Sequence, residues 1–212
     1  MKHSLLLTIC LFLTGGASSF ALTSYTPQQG DILFQSLPHL PVIDAIEGCT
    51  GSPFSHCGIV VNKGGTWHVL EAIGPVKMTR LDHWISQGRE EAFAACRLKA
   101  AFQPKVSTMI AEAEKFIGLP YDIQYELDDE KIYCSELIYK GFKAATGQSL
   151  GKIVKLGELD WKPHVRIIRA IAGDPIPLAR EMITPRDLAK AEQLEEVLPL
   201  EKHVVLSKLG NP

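Results

Sequence analysis

The stretch Ser55-His56-Cys57-Gly58-Ile59-Val60-Val61-Asn62-Lys63-Gly64-Gly65-Thr66-Trp67-His68-Val69-Leu70-Glu71-Ala72-Ile73 decides the fold. Two runs rich in β-branched and apolar residues, 56–62 and 66–73, flank Lys63-Gly64-Gly65. Glycines supply the positive φ angles of a tight turn, so the stretch predicts an antiparallel hairpin. A turn centred on Lys63-Gly64 sets His56 directly opposite Glu71, whereas one centred on Gly64-Gly65 moves the pair to a diagonal. Directly opposed side chains lie about 4.5–5.5 Å apart at Cβ. Both registers keep His56 and Glu71 on one face, because they differ by two residues; only a one-residue bulge separates the pair. The hairpin therefore offers a histidine together with a carboxylate that can orient it.

Outward from the hairpin, residues 31–35 read as a short strand entered through Pro27-Gln28-Gln29-Gly30. Residues 41–48 carry a short helical pattern closed by Gly48, and residues 92–98 suggest another strand. Val106, Met109, Ile110, Ala113, Phe116 and Ile117 recur at helical spacing until Gly118 and Pro120 stop the helix. A second helix is predicted over 134–145, with Leu137, Ile138, Phe142 and Ala145 on its buried side and Gly147 beyond its end. From Asp160 onward, short helical patterns alternate with Pro163, Pro175, Pro177, Pro185 and Pro199, which reads as a wrapping, irregular extension. Strands and helices cluster rather than alternate, so the fold class is α+β.

The chain has 212 residues, of which 46% are hydrophobic and 22% charged, a composition suited to one folded domain. Its 22 basic and 24 acidic residues nearly cancel, which argues against a nucleic-acid binder. Lys2, the apolar run 5–13 and the small residues Ser19 and Ala21 form a secretory signal pattern, with cleavage expected after Ala21. That run is too short for a membrane anchor. Residues 22–212 then form a single exported domain, expected in the periplasm, and the five cysteines fall to four as Cys10 is removed.

Cys134 lies at a predicted helix start, where the dipole and free N–H groups favour a thiolate and can donate to an oxyanion. Asp128, Asp129 and Glu130, just upstream, oppose that shift, and position alone equally allows a buried structural thiol. A thiol nucleophile needs a base, and the base an orienting partner. His56 and Glu71 supply both. His68 lies on the opposite face of the hairpin beside Cys57, while His39, His83, His164 and His203 have no partner at telling spacing. A metal site can be drawn from Cys49, His56, Cys57 and His68. No compact ligand motif supports it, and strand neighbours 56 and 57 point to opposite faces, so neither metal nor cofactor is expected. An oxidising compartment permits a disulfide, Cys49–Cys57 or Cys57–Cys96, and simple burial of these thiols is the alternative.

Five segments in order resemble a known family: Gly30-Asp31-Ile32-Leu33-Phe34, residues 54–61, residues 70–76, Gly118-Leu119-Pro120-Tyr121-Asp122, and Tyr133-Cys134-Ser135-Glu136-Leu137-Ile138. The pattern is similar to the YiiX/YaeF-like proteins, a permuted branch of the NlpC-type papain-like superfamily that includes lecithin:retinol acyltransferase-like enzymes. The resemblance covers residues 27–145 well and the tail more loosely, where Ile183-Thr184-Pro185 is similar to a family Ser/Thr-Pro segment. It implies a circularly permuted papain-like fold, with a small curved antiparallel sheet packed against helices. It also implies Cys134 as nucleophile, His56 as base and Glu71 as orienting residue, in the order of the permuted branch. Tyr121 is singled out as a residue lining the site near the oxyanion, or else a core tyrosine fixing the Pro120 turn. The expected activity is an exported cysteine hydrolase acting on an amide, with peptidoglycan peptides as the natural class. A lipid acyl hydrolase or acyltransferase, and a non-catalytic envelope binding protein, are the alternatives.

Overall fold

In the computed structural model, which describes residues 23–202 and 204–206, the hairpin turns on Gly64 and Gly65 at φ 60° and 81°. Consecutive positive φ angles match the twist of the flanking strands. The strands are β3 (His56–Lys63) and β4 (Thr66–Ala72), with Lys63 opposite Thr66 and Gly58 opposite Glu71. This is the diagonal register for His56 and Glu71.

The hairpin lies within a six-stranded antiparallel sheet of order β5-β4-β3-β2-β6-β9. The other members are β2 (Ile32–Gln35), β5 (Val76–Arg80), β6 (Phe93–Leu98) and β9 (Leu194–Glu201). Short β1 (Ser24–Tyr25) pairs with β10 (Val205–Leu206), and β7 (Val154–Lys155) with β8 (Glu181–Met182). The helices are α1 (Pro41–Thr50), α2 (Leu81–Gln87), α3 (Val106–Glu114), α4 (Cys134–Thr146), α5 (Val165–Ala172) and α6 (Pro185–Ala189).

Both faces of the sheet are buried. One carries Cys57, Ile59, Val61 and Leu70 against Met109 of α3 and Leu137, Ile138 and Phe142 of α4. The other carries Leu33, Val60, Val69 and Phe93 against Leu81 and Trp84 of α2. Period-two alternation in β3 feeds both layers, so the run 59–61 is apolar at every position. Helices α3 and α4 meet through Gly141, where an added Cβ would stand 2.8 Å from the Met109 carbonyl oxygen. Glycine is needed there for close approach.

Four elements differ from the sequence expectation. Residues 76–87 form β5 and α2, which the sequence reading left without structure. The tail is less irregular than its prolines imply, because β9 joins the main sheet beside β6. Pro199 lies in that edge strand, where a missing N–H is tolerated. The helix over 106–117 stops at Glu114 and continues as turns to Gly118, whose φ of 94° breaks it. The signal segment and His203 lie outside the described residues.

Candidate active site

The geometry starts at the first turn of α4. Cys134 is the first residue of that helix and is 2% exposed. The backbone N–H of Tyr133 donates to Glu136 Oε2 at 3.3 Å. Two further bonds tie the turn to the chain 183–185: Ile183 N–H donates to the Tyr133 hydroxyl at 3.1 Å, and Ser135 Oγ donates to Ile183 O at 2.8 Å. The nucleophile candidate is thus held by its own helix and by a segment 50 residues away.

His56 Nε2 and Glu71 Oε2 are 2.6 Å apart, and both side chains are buried. The other Glu71 oxygen, Oε1, accepts from Thr79 Oγ1 of β5 at 2.5 Å. Gly58 makes the diagonal contact possible. It sits opposite Glu71, and a Cβ there would come 2.3 Å from Val69 Cγ1 and 3.4 Å from Glu71 Cβ. The His56 ring also packs on the buried Trp84 ring, with centroids 5.9 Å apart and planes at 31°. Glu71 and Trp84 thus hold the His56 ring, and Thr79 holds Glu71.

His56 also stands near enough to Cys134 for each to shift the other's ionisation. The resulting electrostatics favour a thiolate–imidazolium pair. Burial alone lowers the His56 pKa, but Cys134 and Glu71 outweigh it and raise the imidazolium to about 9. The Cys134 thiol is held well below its ordinary value, first by Cys57, against burial, and then by His56. Burial pushes the Glu71 carboxyl up, yet the His56 contact and the Thr79 hydroxyl bring it below its usual range. The acidic residues upstream are largely satisfied: Asp129 pairs with Lys140 at 2.6 Å, and Asp128 accepts from the Glu130 and Lys131 N–H groups.

Tyr121 also reaches this cluster. Its ionisation is affected by Tyr125, Cys134 and Cys57. Burial, then these neighbours, keeps Tyr121 protonated and therefore a hydrogen-bond donor. Its ring meets Tyr125 edge-on at 6.3 Å, and Tyr125 meets Tyr133 at 5.3 Å. Tyr125 itself has φ 57°, a conformation costly for a bulky residue. Asp122 holds it there by accepting from the N–H groups of Gln124 and Glu126, and Arg180 donates to Gln124 O at 2.6 Å.

Beyond Cys134 opens a cavity whose walls are almost wholly apolar. Ile46 of α1, Tyr125, Met182, and Ile167, Ile168 and Ile171 of α5 line it. Helix α5 turns those isoleucines inward and leaves Arg166 and Arg169 exposed, the pattern of an amphipathic helix covering an apolar surface.

The four site residues named from sequence are therefore brought together. Thr79, Trp84 and Cys57 are additions. The first two lie on β5 and α2, and alternation in Val76-Lys77-Met78-Thr79-Arg80 was the available signal for that strand. Of the two outcomes open for the remaining thiols, burial is the one realised. Cys49, Cys57, Cys96 and Cys134 are all free and buried, and neither candidate disulfide forms. Cys57 and Cys96 sit on strands separated by β2, a spacing of about 9–10 Å. A disulfide requires Cα atoms within about 7 Å. Cys57 instead belongs to the same buried layer as Cys134. His68, by contrast, is remote from this chemistry and bonds only the Thr66 carbonyl oxygen at 3.1 Å among the described residues.

Comparison with known proteins adds three findings. A family model described as "Permuted papain-like amidase enzyme, YaeF/YiiX, C92 family" matches residues 26–198. The uncharacterized protein YiiX of Escherichia coli K12 is 32% identical over 200 residues, covering 93% of this chain and 96% of its own. The crystal structure of the metalloprotein YiiX from Escherichia coli O157:H7 superposes with a TM-score of 0.78 at 32% identity, over 84% of this chain and 99% of its own. Among the described residues here, no group of three or more His, Cys, Asp or Glu side chains is placed to hold a metal ion. His56 Nε2 is engaged by Glu71.

Proposed function

Because the chain belongs to the permuted papain-like amidase family YaeF/YiiX, C92, we propose that it is a cysteine hydrolase cleaving an amide through an acyl-enzyme on Cys134. The observation that carries this reading is the buried relay from Cys134 through His56 and Glu71 to Thr79. The Cys134 thiolate attacks the carbonyl carbon, while the imidazolium of His56 holds the proton. Collapse of the tetrahedral intermediate breaks the C–N bond, and His56 gives its proton to the departing amine. His56, now neutral, takes a proton from water as the hydroxide attacks the thioester. The acid leaves, and the thiolate–imidazolium pair is restored. The N–H groups at the start of α4 and the Tyr121 hydroxyl are the oxyanion donors in this scheme.

The signal pattern supports an envelope location, where peptidoglycan peptides and acyl lipids are both available. A specific observation favours the lipid class. The cavity beside Cys134 is lined chiefly by isoleucine, methionine and tyrosine, and its one charged side chain, Arg180, is already bonded to Gln124 O and Glu126, whereas a cell-wall stem peptide carries carboxylates and amines that such walls would leave unpaired. The apolar part of the substrate, on this reading, is the acyl group that becomes bound to Cys134. Intact-mass spectrometry after incubation with N-acyl amides and with muropeptides tests it. A fatty-acyl adduct on Cys134 is the expected result. An adduct from muropeptides alone removes the acyl reading and keeps the amidase, and no adduct from either class leaves a non-catalytic binding protein.

The pH dependence follows from the two shifts at the centre. The competent ion pair exists above the lowered Cys134 pKa and below the His56 value of about 9. Turnover requires imidazolium and is expected to fall as pH rises through about 9. Alkylation of Cys134 requires thiolate alone and should not fall there. Parallel pH profiles of turnover and iodoacetamide labelling make the comparison; two limbs falling together would contradict the assignment of the proton to His56.

A further inference from the structure

We propose that Glu136 and Lys140 are positioning residues: a brace on α4 that fixes the chain 128–133 and, through it, Cys134 and both oxyanion donors. The brace serves the proposed reaction, and so rests on the reading of Cys134 as its nucleophile. The two residues stand four apart, one turn of the helix, with Lys140 Nζ 3.0 Å from Glu136 Oε1. Each also grips the chain that leads into α4. Glu136 Oε2 accepts from the Tyr133 N–H at 3.3 Å, immediately before Cys134. Lys140 Nζ donates to Asp129 Oδ1 at 2.6 Å and to the Asp128 carbonyl oxygen. The chain 128–133 is thus held at both ends. From it the Tyr121 segment is hung: the Ile132 N–H donates to Pro120 O at 3.0 Å, and the Asp122 N–H donates to Ile132 O at 3.3 Å. The first-turn N–H groups of α4 and the Tyr121 hydroxyl therefore take their places from one fixed stretch.

Burial sets this pair apart from a surface ion pair. Glu136 is wholly buried and Lys140 largely so. A carboxylate taken out of water is costly unless it is paired and hydrogen-bonded. Burial pushes the Glu136 carboxyl up to about 7, against Lys140 and the Tyr133 N–H, which favour its charged form. An apolar side chain at the third position of the helix would avoid that penalty, so the charge is explained by what it holds. The Lys140 ammonium is itself placed from outside the helix, 5.7 Å over the Phe116 ring. The gain is in rate. A catalytic group misplaced by about 1 Å loses about 10²-fold, and a lost oxyanion donor costs about 10²–10³-fold.

The competing view is that the pair merely stabilises α4, as a Glu–Lys pair at this spacing does in any helix. Three variants separate the two. Glu136→Leu removes charge and acceptor, Glu136→Gln keeps an acceptor for the Tyr133 N–H, and Lys140→Met keeps that bond but frees Asp128 and Asp129. Turnover of an N-acyl amide, or of a muropeptide if that class loads Cys134, is read between the Glu136 value of about 7 and the His56 value of about 9. In Glu136→Leu, kcat should fall by about 10²-fold while KM stays within about threefold. Neither residue lines the cavity that receives the substrate, so binding is spared. Glu136→Gln should recover most of the loss, and Lys140→Met should lose about tenfold. An unchanged kcat in folded Glu136→Leu, or a Glu136→Gln variant as impaired as leucine, overturns the proposal. A fall in the unfolding midpoint with kcat unchanged does the same, since that is the mark of a structural pair. If circular dichroism shows Glu136→Leu unfolded, Lys140→Met decides, and full kcat there overturns the brace. An unmodified chain that forms no adduct on Cys134 removes the nucleophile reading instead, which distinguishes the two failures.

Discussion

Cys134→Ala is expected to abolish turnover, with a loss of about 10⁶-fold, the scale seen when a covalent nucleophile is removed. The alanine variant retains the α4 N-terminus, the Tyr121 hydroxyl and the cavity, so substrate still binds. It has no atom to form the thioester, and the adduct in the intact mass disappears. Alanine is a good helix former and is smaller than cysteine only by the sulfur, so the fold should survive. Circular dichroism and the unfolding midpoint check that directly. Cys134→Ser separates nucleophile from shape, because its hydroxyl fits the site but is not ionised by His56. It should be nearly as inactive as alanine. Acyl adducts or full turnover in Cys134→Ala would sink the mechanism.

The second large effect is expected at His56. Removing the ring leaves Glu71 buried with only Thr79 as a partner, an uncompensated charge costing about 3–5 kcal/mol. His56→Gln is the cleaner variant. Its amide can still donate to Glu71 Oε2, but it cannot carry a proton between thiol, amine and water. Turnover is expected to fall by about 10⁴-fold, the upper range for a positioned acid–base group. Cys134 also loses the imidazolium that holds its thiolate. The alkylation midpoint should therefore climb toward the ordinary thiol value of about 8.5. Both changes arise from one residue, and a structural role alone would not move the alkylation profile. If His56→Gln labelled Cys134 at neutral pH as fast as the unmodified chain, the base would have to be sought elsewhere.

Much of this site was legible because its parts are close in the chain or obey a strict period. The glycine pair predicts a hairpin, and period-two alternation then places His56 and Glu71 on one face whichever of the two registers forms. The diagonal register is the one realised, with Gly64 and Gly65 at the turn. Gly58, opposite Glu71, leaves room for the longer reach. Cys134 at a helix start was equally readable, because the apolar spacing of 134–145 marks the helix and its first residue. Thr79 and Trp84 escaped notice since β5 and α2 are short, and five or seven residues give periodicity little room to show. The tail misled for another reason. Its prolines suggest irregularity, but Pro199 sits on an edge strand, where a proline does no harm to the ladder.

By itself the sequence determined which chemical groups this protein has to work with, the face that His56 shares with Glu71, and the position of Cys134 at the head of a helix. Those follow from local rules: turn chemistry, a two-residue period, a 3.6-residue period. Tertiary structure alone decided that the helix bearing Cys134 packs on β3, which brings His56 within electrostatic reach of the thiol. It also decided that α1, α5 and the chain around Met182 close an apolar cavity beside the nucleophile. These are contacts between segments far apart in sequence. No local period encodes them, because they arise from burying several apolar faces at once.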